Sequence, residues 1–314
     1  MPRSKRNQGV RTKAVIDIGS NSIKLRVVSK EGNRLRTVLD TTEVVRLGKS
    51  LENGVIDEET MRRGVEVVRN LTRLAAEKGS TPRLVGTMAL RVADNAEEFV
   101  GRIRKRTGIS VEILSGEEEA RLAWLGATWA LGVTGGETTV FDTGGGSTEF
   151  VFGNGTQITR TLSAPVGAIH LTEKFLTAPV DSKSLSSAKN YIRDILTAGR
   201  LERRGESFAI GLGGGVAAMA SVKLALPAFS PEAINGTSLT KGDIDGQVAL
   251  YASFSAAERM KIAGLPPKRA DIILGSACIV QCAMEVLGID IFRVSINGLR
   301  HGLLLEMFKG KTMA

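Results

Sequence analysis

The sequence predicts an α/β protein built from two duplicated domains that face each other across a cleft. Three observations carry that prediction. "VIDIGSNSIKL" at 15–25 and "VFDTGGGSTEF" at 140–150 align without a gap, so Asp17 falls on Asp142, Gly19 on Gly144 and Ser22 on Ser147 at a constant offset of 125 residues. Three β-rich runs followed by alternating helical and strand patterns occur twice along the chain, which marks an internal repeat. The 314 residues exceed what one ordinary core organises and suit two domains of roughly 150 residues. The boundary is placed between 128 and 129, giving domains 1–128 and 129–314.

Each element follows from local pattern. The β-branched runs at 13–18, 23–29 and 34–47, broken by "GSN" and "EGN", read as a three-stranded meander. Met61, Val65, Val68, Leu71 and Leu74 recur at three or four, so 58–78 reads as a helix. A strand at 83–88, a helix at 95–107, a strand at 111–114 and a helix from 116 complete the first half. The second meander covers 137–143, 148–153 and 157–164, with "GNG" as its hairpin signal. Helices at 167–176 and 183–199, a strand at 207–211 and a glycine-rich turn follow. Residues 228–241 read as a long loop; helices at 242–252, 255–263 and 268–287, a strand at 292–295 and a helix from 298 close the chain.

Composition narrows the function classes. Hydrophobic residues at 42% and charged residues at 24% are those of a globular protein. Aromatics at 4% leave few platforms for stacking on bases. Of the net charge of +9, Arg3, Lys5, Arg6, Arg11 and Lys13 contribute five with no acid between them. Such a segment is a solvated tail or a contact for a polyanion, and no groove-reading motif for sequence-specific nucleic acid accompanies it. No apolar leader follows it, and the most apolar stretch, 270–289, carries Ser276, Gln281 and Glu285, so it reads as a buried helix and not a membrane span. Cys278 and Cys282 share one face of it and read as core. Two thiols and no export signal point to the cytoplasm. The two histidines, His170 and His301, make no zinc site.

The two glycine turns carry the chemistry. Each places an acid at a strand end, then glycines whose N–H groups can approach a ligand closely, and successive N–H groups make a concave anion site. Gly19, Ser20, Asn21 and Ser22 form the first such loop; Gly144, Gly145, Gly146, Ser147 and Thr148 form the second. Asp17 and Asp142 would repel phosphate directly, so their use is to hold a divalent cation that bridges to it. A third run, "IGLGGGVAAM", puts Gly213 and Gly214 between a strand and a helix, where phosphate contact at the helix N-terminus is expected. In "LSGEEEARLAWLGA", Ser115 and Glu118 make a capping box and Glu117 suits the helix dipole. Glu119 has neither task and precedes the small residues Ala120, Ala123 and Gly126, so it is the candidate general base.

Together these residues resemble the exopolyphosphatase/guanosine pentaphosphate phosphohydrolase (Ppx/GppA) family. The matching segments, in family order, are "AVIDIGSNSIKL", "LRVADN", "TGISVEILSGEEEARLAWLGA", "DTGGGSTEF", "SAPVGAIHLTEKF", "GLGGG", "GLPPKRADIIL" and "INGLRHGLL", spanning 14 to about 305. The resemblance implies an actin-like fold of two ribonuclease-H-like domains with mixed five-stranded sheets. It implies a hydrolase of the terminal phosphate of polyphosphate or pppGpp that uses magnesium, with manganese as the alternative and a monovalent cation as an addition. By the same resemblance Glu119 activates water, Asp142 opens the second phosphate loop beside a metal held with Asp17 and Glu119, and Arg91 and Arg269 meet phosphate oxygens. Long members carry a C-terminal metal-phosphohydrolase-like domain, so a chain of 314 residues is expected to be the short form; a homodimer is left open.

The chain departs from the family pattern at Met88, Val92, Ile296 and His301, and Lys24 stands where arginine is common. These positions bear on substrate preference. Two other readings stand beside hydrolysis: a phosphotransferase that moves phosphate between polyphosphate or ATP and another acceptor, and a non-catalytic polyphosphate or nucleotide sensor supported mainly by Val92 and Ile296.

Overall fold

The computed structural model describes residues 12–32, 34–48, 51, 54–177, 180–202 and 207–309; the basic segment from Arg3 to Arg11 lies outside them. The first half runs β1 (Thr12–Ile18), β2 (Ser22–Glu31), β3 (Arg34–Val44), α1 (Glu58–Glu77), β4 (Pro82–Gly86), α2 (Met88–Val92), α3 (Ala96–Thr107), β5 (Val111–Ile113) and α4 (Gly116–Ala130). The second runs β6 (Glu137–Thr143), β7 (Thr148–Asn154), β8 (Gln157–Ala164), α5 (Ala168–Phe175), α6 (Ser182–Ala198), β9 (Phe208–Leu212), α7 (Gly214–Lys223), α8 (Pro231–Ile234), β10 (Ser238–Thr240), α9 (Lys241–Ala252), α10 (Ala256–Arg259), α11 (Ile273–Leu287), β11 (Ile291–Val294) and α12 (Leu299–Lys309).

The first sheet has the order β3-β2-β1-β4-β5; the second has β8-β7-β6-β9-β11 with β10 added beyond β11. In both, the meander is antiparallel and the later central strands run parallel. The copies agree even in their irregularities, since the bulge between Val27 and Val28 recurs between Phe152 and Gly153. This is the actin-like arrangement.

Several details differ from the sequence expectation: the loop expected over 228–241 carries α8 (Pro231–Ile234), and the helix expected over 255–263 is the short α10 (Ala256–Arg259). The second sheet has six strands and not five, because Ser238–Thr240, within the expected loop 228–241, pairs with β11; three residues are too few for alternation to show. The strand expected over 83–88 ends at Gly86, and Met88 opens the one-turn-scale helix α2. The helix expected from 268 starts at Ile273, after a separate 3-10 turn over Pro267–Arg269.

Strand periodicity buries both faces of each sheet. Ala14, Ile16 and Ile18 join the core under α1 and α3, while Val15, Val28 and Val85 pack with Leu303 and Leu304 of α12. On the second sheet Phe141, Phe150 and Phe152 face the helices around α11, and Val140, Val151, Ile210 and Leu212 pack on Ala120, Ala123 and Trp124 of α4. The halves therefore exchange helices: α4 covers the second sheet and α12 the first. The boundary expected at 128/129 falls inside α4.

Where α4 crosses α12, any side chain at Gly126 would meet the Gly298 carbonyl, and any at Gly302 the Leu122 carbonyl. Gly302→Ala is accordingly expected to destabilise by about 1–3 kcal/mol, the cost of overpacking against backbone that cannot turn aside. Denaturant unfolding measures this, and an unchanged midpoint would refute the crossing.

Candidate functional site

The two phosphate-loop hairpins are built alike. Gly19 donates its N–H to the Ser22 carbonyl at 3.1 Å, and Gly144 donates to the Ser147 carbonyl at 2.9 Å. The first loop is held from outside by Gly48 N–H on the Ser20 carbonyl at 2.8 Å and Arg46 N–H on the Asn21 carbonyl at 2.9 Å. The second is held by α5, where Ala168 and Ile169 donate to the carbonyls of Gly144 and Gly145 at 3.0 and 2.8 Å.

Asp17 shares a strand face with Val15, and Asp142 with Val140, so both acids project on the side of α4 and α12. The hairpins differ directly opposite these acids. Asp17 faces Lys24, whose Nζ lies 3.8 Å from Asp17 Oδ2, whereas Asp142 faces Glu149. Lys24 and Glu149 are again 125 residues apart. Repetition thus produced one acid–base pair and one acid–acid pair. Burial pushes the Lys24 ammonium down, against the pull of Asp17.

The cavity between the loops is lined by Asp17, Gly19, Ser20, Asn21 and Ser22 on one side and Asp142, Gly144, Gly145, Gly146, Ser147 and Glu149 on the other. Lys24, Thr87, Met88, Glu119, Arg269 and Leu299 complete it. Ser115 caps α4 as expected: its hydroxyl accepts from Glu118 N–H at 3.1 Å and its N–H donates to Glu118 Oε2 at 3.0 Å. That leaves Glu119 free to face the cavity, and Arg91 Nη1 fixes it with a 2.8 Å bond to Oε2 while also donating to the Leu114 carbonyl at 2.8 Å.

Burial raises three of the carboxyls. Glu149, 3% exposed, is raised to about 8, with the nearby Glu119 adding to the effect and the Ser147 and Ser163 hydroxyls opposing it. Glu119 is raised to about 7, against the pull of Arg91. Asp142 is raised to about 6, against Lys24. Carboxyls this close and this dry resist ionising together, so the site presents hard oxygen donors that gain from a cation. Among the described residues no three His, Cys, Asp or Glu side chains form a closed cage. A magnesium-type ion fits such a set, since it takes one or two carboxylates and fills its other positions with water and phosphate oxygens. Asn21 lines the cavity, and its buried Nδ2 has no hydrogen-bond partner among the described residues.

The remaining expected residues divide. Arg269 lines the cavity, and Gly214 makes room for it, because any side chain there would run into the guanidinium. Any side chain at Gly213, at φ 104, would meet the Thr143 carbonyl. These glycines serve packing beside the cavity, and Gly213 and Gly214 do not line it. Thr148 is fully buried and donates its hydroxyl to the Val166 carbonyl at 2.7 Å, so that hydroxyl is already committed. Arg91 acts on Glu119 from behind the lining. Glu149 was missed from the sequence, although its place opposite Asp142 and its offset from Lys24 were both legible there.

Of the departures, Met88 and Lys24 line the cavity. Val92 is 53% exposed, Ile296 packs against the second core, and His301 is buried beside Trp129 at the α4–α12 crossing. His170 is exposed on α5. Cys278 and Cys282 are buried, with thiols pushed up to about 12.

Met88 reaches across the cleft to Gly146, where a Cβ would collide with its terminal methyl. Gly146→Ala should leave unfolding within about 1 kcal/mol, because a flexible thioether can change rotamer. The displaced methionine would then enter the cavity and weaken phosphate binding, and adding Met88→Ala should restore it. Titration with inorganic tripolyphosphate distinguishes the cases; equal affinity in all three proteins would show that the contact is incidental.

Comparison with known proteins places this geometry. The model of the Ppx/GppA phosphatase family matches residues 26–311. Exopolyphosphatase 1 of Mycobacterium tuberculosis is 26% identical over 299 residues, covering 93% of this chain and 87% of the relative. The guanosine-5'-triphosphate,3'-diphosphate pyrophosphatase of Vibrio cholerae is 30% identical over 301 residues, 94% of this chain. The chain spans 59% of that relative and 47% of the bifunctional 3-dehydroquinate synthase/phosphatase of Fusobacterium nucleatum. Among solved structures, the Aquifex aeolicus Ppx/GppA family member superposes with a TM-score of 0.83 at 29% identity, over 97% of this chain and 100% of that one. An exopolyphosphatase from Cytophaga hutchinsonii gives 0.87 at 26% identity, over 96% and 98%. No helix among the described residues is long and apolar enough to cross a membrane.

Proposed function

This chain belongs to the Ppx/GppA phosphatase family, and on that premise we propose that it hydrolyses the terminal phosphoanhydride of a linear phosphate chain, either inorganic polyphosphate or the triphosphate arm of pppGpp. The observation that carries the reading is Glu119: a cavity carboxylate, tethered at 2.8 Å by Arg91 and facing two glycine loops. The terminal phosphoryl group sits against the backbone N–H groups of both loops, with Asn21 Nδ2 as an extra donor and Lys24 and Arg269 supplying positive charge. Glu119 accepts a proton from a water whose oxygen attacks the terminal phosphorus. The bridging P–O bond breaks, orthophosphate leaves, and the shortened chain carries away the bond's electron pair. Such catalysis is mostly positioning and electrostatics.

In this reading Asp142 and Glu149 would hold a divalent cation, with Asp17 and Glu119 nearby. Magnesium or manganese there would neutralise phosphate charge. The direct test is phosphate release from long polyphosphate, short polyphosphate and pppGpp, each with and without magnesium. Release from none of the three would overturn the proposal. Adding ADP with polyphosphate tests transfer, because a hydrolase yields orthophosphate and no ATP. Val92 and Ile296, the main support of the sensor reading, do not line the cavity, and tight binding with no magnesium-dependent phosphate release would favour that reading.

A further inference from the structure

We propose that Arg46 is a positioning residue for substrate binding: by pairing with Asp271 across the cleft it keeps that carboxylate away from Arg269, leaving the Arg269 guanidinium open to a phosphate oxygen. The inference rests on the functional reading above and adds to it a residue from a loop outside the cavity lining.

Arg46 lies just after β3 at φ 62, a left-handed conformation that an L-residue adopts only at a cost. Strain of this kind persists where the surroundings over-determine it, and it collects at functional sites. The surroundings here are specific. Val45 and Arg46 both donate their N–H groups to the Asn21 carbonyl, at 3.2 and 2.9 Å, and Gly48 donates to the Ser20 carbonyl at 2.8 Å. The loop is a strap laid on the first phosphate loop. Its guanidinium then crosses to the other half of the molecule, where Arg46 Nη2 meets Asp271 Oδ2 at 2.6 Å.

Asp271 stands two residues beyond Arg269. The turn carrying both is tight, with Arg269 N–H on the Pro266 carbonyl at 2.9 Å and Ile272 N–H on the Arg269 carbonyl at 3.1 Å. Arg269 itself forms no ion pair among the described residues and is wedged against the bare backbone of Gly214. Among the described residues, the pull of Asp271 favours the ionised form of Arg269 against burial. Without Arg46, the anion best placed to satisfy Arg269 is Asp271, in direct competition with substrate. A simple clasp between the halves makes a different prediction: removing either partner would do the same harm, and removing both would cure nothing.

The experiment compares wild type, R46A, R46G and R46A/D271N with inorganic tripolyphosphate, reading kcat, KM and a calorimetric dissociation constant. R46A should raise KM and Kd about tenfold, the scale of one charge-assisted contact, with kcat within about twofold. R46A/D271N should return both to within about threefold of wild type. R46G should bind as weakly as R46A yet unfold at the same or a higher temperature, because glycine relieves the left-handed residue. A double variant as weak as R46A, or an R46A protein that binds like wild type, would overturn the inference. If wild type binds tripolyphosphate without cleaving it, the binding order still decides the role of Arg46 while the hydrolytic reading fails. If wild type does neither, both fall together.

Discussion

Glu119→Gln is expected to lower phosphate release by about 10²–10⁴-fold, the usual worth of a positioned general base, without unfolding the protein. The amide keeps the shape of the carboxylate, and its oxygen can still accept from Arg91. It cannot take the proton of the attacking water. Stability should hold or rise, because the charge removed is one that burial, Asp17 and Asp142 all oppose. A glutamate that served only packing would lose stability and activity together. Steady-state assay beside thermal unfolding separates the two, and full phosphate release by the Gln variant would end the assignment.

Glu149→Gln is expected to abolish most of the stabilisation that a divalent cation confers, and turnover with it. The sign of the pH dependence follows from the raised carboxyls. An unfolded glutamate ionises near 4.3, while folded Glu149 holds its proton up to about 8. Between those values the native state binds the proton that the unfolded chain releases, so stability falls as pH rises through the window. Glu119, at about 7, and Asp142, at about 6, act in the same direction. The cation-free protein should therefore melt at progressively lower temperature from about pH 4.5 to pH 8. Magnesium, which binds the ionised ligands, should raise the midpoint far more at pH 8 than at pH 5. In Glu149→Gln the slope should flatten, and the cation-free protein should be more stable than wild type at pH 8. Magnesium stabilisation equal to that of wild type would show that the cation is held elsewhere.

Much of the architecture was open to reading from residues alone. The gapless match of 15–25 with 140–150 predicted two equivalent hairpins, and they agree in the Gly19 and Gly144 hydrogen bonds and in the position of the bulge. Capping chemistry assigned Ser115 and Glu118, and by elimination left Glu119 for the cavity. Short elements escaped for a plain reason: β10 has three residues and α2 has five, fewer than a period needs to declare itself. Thr148 misled because a hydroxyl beside a glycine loop looks like a phosphate donor until its bond to the Val166 carbonyl is seen. The glycines at 213 and 214 pack closely beside the cavity and do not line it, since loss of a side chain serves close packing as readily as ligand approach.

What the sequence determined by itself is local and repetitive: where strands turn, which turns free their N–H groups, which helix start carries an uncommitted acid, and that all of this was made twice. Those properties depend on neighbours a few residues apart, so pattern reveals them. What only the tertiary structure decided is convergence. The exchange of α4 and α12 between the sheets, through an approach at Gly126 and Gly302 that admits no side chain, brings Glu119 from one half over Asp142 and Glu149 of the other. It also determines which acids meet a base, as Asp17 meets Lys24, and which meet another acid. Pairing across strands and packing across the cleft join residues far apart in the chain, and no periodicity records such distances.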